Sequence, residues 1–208
     1  PFEQMALIGC GAMTGLGAAL NTAAVVPGST VAVIGCGGVG LNAIQGAALA
    51  GALRVIAIDA VETKLSLATE FGATDVIDAS GGNVVSKVRD LTGGGVDYSF
   101  EAIGKKETAE QSFDMLRAGG TATIIGMIPQ GTKIEIDGPS FLREKRIQGS
   151  SMGSNHFRVD MPRYVDFYLQ GRLKLDELVS RRLKLEDIND AFGYMKEGSV
   201  ARSVITFP

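Results

Sequence analysis

Short apolar runs along the chain alternate with longer stretches in which apolar residues recur every three or four positions. Thr30-Val-Ala-Val-Ile34 carries four β-branched residues and predicts a strand. A Gly-rich turn follows, and 41–50, rich in Ala and free of Pro, predicts a helix. Arg54-Val-Ile-Ala-Ile-Asp59 predicts the second strand. Residues 62–71 predict an amphipathic helix with Leu65, Ala68 and Phe71 inward and Gly72 as its stop. A third strand at 75–78, a helix at 83–91 with Val84, Val88 and Leu91 on one face, and a fourth strand at 96–101 come next. A helix at 106–116 and a fifth strand at 121–125 complete the repeating part. Repeated strand–helix units of this length predict an α/β fold of Rossmann type: a doubly wound parallel sheet with right-handed crossovers.

The flanks are less regular. Met5 to Leu7 is short and apolar, Gly9-Cys10-Gly11 predicts a turn, and 14–24 predicts a helix with Thr14 as its cap. Lys133-Ile-Glu-Ile136 alternates polar and apolar residues, which suits an exposed edge strand. The pattern changes near residue 140, where Gly138-Pro139-Ser140 predicts a linker. Beyond it, 145–149 predicts a sixth strand and 162–169 a helix with Val165 and Leu169 inward. Residues 184–195 lead into another helix, and 203–207 predict a last strand. The expected division is 1–25 ahead of the first sheet strand, 26–145 as the repeating strand–helix unit, and 146–208 as its last strand plus elements that need not belong to the sheet.

The turn after the first strand carries the chemistry. Gly35, Gly37 and Gly40 fill the three fixed positions of G-x-G-x-x-G between a strand and a helix. The first allows the tight turn, the second leaves room for a pyrophosphate, and the third lets helix and strand approach. Free backbone N–H groups at the helix N-terminus favour an anion there. Asp59, at the tip of the second strand, can accept both ribose hydroxyls of an adenosine. Ala60 and Val61 follow it with no Arg, so NAD is expected over NADP. Ligands of such sheets bind beyond the C-terminal strand ends, so Ala102, Ile103 and Gly126 join the candidate site.

At 208 residues the chain is long enough for a full core. A net charge of −3 with no basic block gives no support for a nucleic-acid partner. No apolar run reaches the length of a membrane span, and 1–30 lacks the features of a signal peptide. The chain starts at Pro1, which suggests a processed or truncated product. Cys10 and Cys36 are the two cysteines; with Cys36 inside the glycine turn, a reduced, cytoplasmic setting is expected. Cys10 is read as a structural thiol by default, since no spacing of Cys and His completes a zinc set. Lys64 and Arg202 are each either solvated or turned towards the cofactor.

Taken together, Gly9-Cys10-Gly11 with Thr14-Gly15, Gly28 to Gly40, Asp59 with Lys64-Leu65, Phe100-Glu-Ala-Ile-Gly104 and Leu185 to Phe192 resemble the zinc-dependent, medium-chain alcohol dehydrogenases. The tail Gly198 to Phe207 fits as well, so the resemblance covers essentially the whole chain. It implies NAD-dependent oxidation of an alcohol, with zinc and NAD as cofactors and Cys10 as one catalytic zinc ligand. The other ligands would belong to an N-terminal catalytic domain absent here, to which the C-terminal segment returns; this fragment alone is expected to be inactive. The resemblance further assigns Thr14, Gly35, Gly37, Gly38, Val39 and Gly40, Asp59 and Lys64, and Arg202 to the cofactor. It places Ala102, Ile103, Gly126, Ser151 and Met152 near the nicotinamide. It implies a homodimer through the Lys133–Ile136 edge. Within the family the chain is similar to the bacterial branch that includes mycothiol-dependent formaldehyde dehydrogenase, which makes a thiol–formaldehyde adduct the alternative substrate. A non-catalytic NAD-binding module is the other alternative.

Overall fold

β1 (Thr30–Ile34) runs through the middle of a six-stranded sheet and is buried on both faces. Val31 and Val33 face one core, Ala32 and Ile34 the other, and β2 (Arg54–Asp59) divides its residues in the same way. That is why these strands read as continuous apolar runs. β3 (Asp75–Asp78), β4 (Val96–Glu101), β5 (Leu116–Ile124) and β6 (Arg146–Gly149) complete the sheet in the order β3-β2-β1-β4-β5-β6, every pair parallel. This is the expected doubly wound fold, and the order reverses between β1 and β4. The computed structural model describes residues 1–197 and 201–207; the part of the tail motif at 198–200 lies outside the described residues.

Parallel neighbours need crossovers, and helices supply them. α1 (Phe2–Thr22), α2 (Gly38–Leu49) and α3 (Glu62–Glu70) cover one face; α4 (Val84–Thr92) and α5 (Lys106–Asp114) cover the other. Leu16, Leu41 and Ile44 are fully buried where α1 meets α2. Burying each contributes about 1.5–3 kcal/mol. Leu65, Ala68, Phe71, Val84 and Val88 point inward as expected, but Leu91 is exposed.

The N-terminal segment differs most from expectation. Phe2–Thr22 is one helix with widened, π-type turns at Ile8–Ala12 and Ala18–Thr22. Gly9-Cys10-Gly11 is therefore no turn, and Thr14 lies buried mid-helix rather than capping it. Glycine costs a helix about 1 kcal/mol relative to Ala, which favoured the turn reading. Here the glycines serve close packing: a side chain on Gly15 would overlap the Val39 carbonyl of α2. By length and hydropathy this helix could also cross a membrane, contrary to expectation, yet 56% of its most apolar 18-residue window is buried in the protein.

Two further elements depart from the sequence reading. Residues 133–136 form no strand; the Glu135 N–H donates to Glu110 Oε1 (2.8 Å), and Lys106 pairs with Glu135 (3.0 Å). Side chains of α5 thus hold this stretch, and β6 is the edge of the sheet on the β5 side. The helix expected at 162–169 begins five residues earlier, as α6 (Phe157–Leu169), with Pro162 inside it. Val165 packs against the core as expected and Tyr164 is fully buried, but Leu169 is 73% exposed. β7 (Val179–Leu183), α7 (Ile188–Glu197) and β8 (Arg202–Ile205) follow, and β7 and β8 make a separate parallel pair.

Candidate functional site

The glycine turn is built as its spacing requires. Gly35 has φ +96°, a conformation open chiefly to glycine, and its N–H donates to the Ile58 carbonyl (2.8 Å). Gly37 is extended and caps α2 with no side-chain bond, leaving the first N–H groups of the helix facing outward. A side chain on Gly37 would meet open space, whereas one on Gly40 would overlap the Gly35 carbonyl oxygen. Between them these glycines leave a cradle with free donors, which fits a diphosphate. Val39 is half-buried, its carbonyl turned to Gly15 of α1.

Asp59 fastens this turn to the next one. Its Oδ2 accepts the Cys36 N–H (2.8 Å) and its Oδ1 the Val61 N–H (3.0 Å). A carboxylate has about four lone-pair sites, so capacity remains for sugar hydroxyls. The Cys36 thiol is buried, which chiefly pushes its pKa up to about 12; the Asp59 charge adds to this, and the Lys64 charge opposes it. Lys64, half-buried on α3, therefore stands close to the turn.

Arg202 arrives from β8. A side chain on Gly11 would lie 2.7 Å from its guanidinium, and one on Gly38 would overlap it. The two glycines form a slot that brings the guanidinium to the N-terminus of α2. Among the described residues it has no carboxylate partner, so its charge is available to an anion at the helix end.

Across the switch in strand order, Ala102, Ile103 and Gly126 sit at the ends of β4 and β5. The Ala102 N–H donates to Ile34 (2.9 Å), and the Ile103 side chain packs over Gly35. Sequence reasoning missed the residue that orders this corner. Glu101 is fully buried; its Oε1 accepts the N–H groups of Ile103 (2.9 Å) and Gly104 (2.8 Å) and the Thr108 hydroxyl (2.7 Å). Its Oε2 has no partner among the described residues and lies where a side chain on Gly126 would be. A charged residue closing an otherwise buried strand was the available signal. Ser151 and Met152 follow β6 and are exposed, and the Thr14 hydroxyl approaches the Met152 sulfur at 3.8 Å.

Cys10 is a free, exposed thiol on a cavity of about 280 Å³ that also touches Leu7, Gly11, Arg202 and Ser203. Cys36 is free and buried. Among the described residues no three of His, Cys, Asp or Glu gather as a metal cluster. Zinc takes three or four protein ligands, so Cys10 fits as one donor and does not by itself build a centre.

A family model described as Zinc-binding dehydrogenase matches residues 38–170. Alcohol dehydrogenase class-3 of Dictyostelium discoideum is 40% identical over 211 residues, covering 99% of this chain and 56% of that protein. S-(hydroxymethyl)glutathione dehydrogenase of Paracoccus denitrificans is 36% identical over 215 residues, covering 100% of this chain and 57% of that protein. The crystal structure of benzyl alcohol dehydrogenase from Acinetobacter calcoaceticus superposes with a TM-score of 0.97 at 33% identity, covering 100% of this chain and 57% of that one. The chain spans about half the length of the relatives it matches.

Proposed function

The chain belongs to the zinc-binding dehydrogenase family, and on that premise we propose that it is the cofactor-holding part of an NAD-dependent alcohol dehydrogenase. The observation that carries this is the cradle itself: the Gly35–Gly40 contact, the uncapped start of α2 and the Asp59 bonds to the turn. Asp59 takes the adenosine ribose, with Lys64 beside it. Gly37, Gly38, Val39 and Arg202 take the diphosphate. Ala102, Ile103, Gly126, Ser151 and Met152, with Thr14 behind Met152, border the nicotinamide. The protein then orients the ring for hydride transfer from the carbon of a small alcohol, giving an aldehyde or ketone. Residues 26–145 are the nucleotide-binding unit, with 1–25 and 146–208 as its flanking junction and returning segment.

Cys10 would give one thiolate to a zinc ion whose other ligands lie outside the described residues. When bound, that zinc stabilises an alkoxide on the substrate oxygen. A thiol–formaldehyde adduct is the second substrate class, of mycothiol type by the sequence resemblance, while the Paracoccus denitrificans relative is named for the glutathione adduct. The free cysteines suit a reducing, cytoplasmic setting. A homodimer is proposed along the 133–136 stretch beside the sheet edge, where Met127, Phe141 and Leu142 add exposed apolar surface. Sedimentation giving one-chain mass at all concentrations would rule the dimer out.

Calorimetric titration of the chain with NAD tests the central claim. Saturable binding that Gly37→Val abolishes is expected. No uptake of NAD by the wild-type chain would refute it; uptake without alcohol oxidation by the zinc-loaded full-length enzyme would leave a non-catalytic NAD-binding module.

A further inference from the structure

Three consecutive residues after β6 adopt left-handed backbone: Met152 (φ +50°), Gly153 (φ +68°) and Ser154 (φ +49°). Glycine does this freely. Methionine and serine do so at a cost, and such strain persists only where the surroundings impose it. Several tethers hold the loop: Asn21 Nδ2 donates to the Gly153 carbonyl (3.4 Å), the Thr22 and Ser154 hydroxyls pair (2.7 Å), and Met152 itself is held by Asn155. Its Nδ2 donates to the Met152 carbonyl (2.6 Å) and to the Met13 carbonyl of α1 (2.7 Å). Its Oδ1 accepts the hydroxyl of the fully buried Tyr164 (2.9 Å). These partners fix the amide's orientation, because a flipped amide would set its oxygen against two carbonyls. The fit is close: a side chain on Gly17 would overlap the Gly153 carbonyl, and one on Gly153 would lie 2.5 Å from the Met13 carbonyl.

The loop's place in the fold gives the clamp a purpose. The Ser150 N–H donates to the Ile124 carbonyl (2.9 Å), so the loop starts over the C-terminal end of β5 and β6. Asp59 lies at the opposite side of the switch, on β2. A dinucleotide with its adenosine at Asp59 and its diphosphate at α2 lays its other nucleotide over β4 to β6.

Resting on the proposed cofactor reading, we infer that Asn155 is a positioning residue for the nicotinamide half alone. It holds Met152 in its left-handed conformation against α1 and so sets one wall of that half-site. Without the amide, Met152 relaxes to ordinary backbone and the wall shifts, while the adenosine end, held by β1, β2 and α2, stays as it was.

ADP-ribose separates the two ends, because it carries adenosine and diphosphate but no nicotinamide. Calorimetric titrations of the wild-type chain, Asn155→Ala and Tyr164→Phe with NADH and with ADP-ribose read the effect without turnover. Losing all three hydrogen bonds of the amide should weaken NADH about tenfold in Asn155→Ala. ADP-ribose should change by less than about twofold on the same argument. Tyr164→Phe, which keeps the ring and removes only the donor, should weaken NADH by a few-fold with the same selectivity. Equal loss of both ligands in the two variants would make the clamp merely structural and overturn the inference. Unchanged NADH affinity in both would overturn it as well. If the wild-type chain takes up neither ligand, the cofactor reading falls and the inference with it. Should Asn155→Ala not fold, Tyr164→Phe decides alone.

Discussion

Gly40 and Gly35 meet backbone to backbone: a single methyl on Gly40 would overlap the Gly35 carbonyl oxygen. The start of α2 and the end of β1 are thereby held at a separation that admits no side chain. Gly40→Ala should cost about 1–3 kcal/mol through overpacking. It should also lower NAD affinity, because α2 must tilt its free N–H groups away from the cradle. Urea unfolding and calorimetry read the two effects; an unchanged midpoint with full affinity would show that the contact yields easily.

Asp59 bonds the glycine turn and is expected to bond the ribose. Asp59→Ala removes ribose acceptors, each charge-assisted bond contributing about 1.5–3 kcal/mol. NAD should weaken at least about tenfold. NADP should lose far less, because the same change removes a repulsion against its extra phosphate. Equal losses for the two cofactors, measured side by side, would argue that Asp59 only supports the turn.

The buried Cys36 thiol gives a dependence on pH with a definite sign. Its pKa rises from an ordinary 9.0 to about 12 on folding, chiefly through burial. The folded state therefore keeps a proton that the unfolded chain releases. This stabilising contribution is complete below pH 9.0 and is lost as pH climbs towards about 12. Tyr164, pushed from 10.0 to about 12 by burial, adds to the loss in the upper part of that window. Denaturant midpoints should fall above pH 9.0, less steeply in Cys36→Ala. A variant with the slope of the wild type would remove Cys36 from the explanation.

Glu101 makes three bonds with one oxygen and none with the other among the described residues. Glu101→Gln keeps the shape but puts an NH₂ either against three donors or into the space beside Gly126. A loss of about 1–3 kcal/mol is expected from the unsatisfied groups. Thr108→Val, which removes one donor, should cost less. Equilibrium unfolding of the two variants checks the order.

β1, β2, β3 and β4 were readable residue for residue, because each is a short run bounded by turn chemistry and buried by neighbours on both faces. The glycine pattern and Asp59 were readable for the same reason: their spacing is local. What escaped the sequence depends on distant partners. Gly11, Gly15 and Gly17 look like breaks in a helix until Arg202, Val39 and Gly153 come against them. Lys133 to Ile136 alternates like a strand, but side chains of α5 hold the segment and it pairs with no strand. Asn155 and Tyr164 gave no signal, since their meaning lies in a carbonyl of α1, far away in the chain.

Arg202 reaches the cradle from β8, long after the glycine turn itself has been made. During synthesis the turn, α2 and Asp59 emerge from the ribosome far ahead of the guanidinium. On the proposed reading, the backbone cradle for the diphosphate is therefore made before the cation that lies against Gly38 arrives. If the cofactor reading holds, tight retention of the nucleotide waits for β8, and a stalled or clipped product lacking that strand would let go of it quickly.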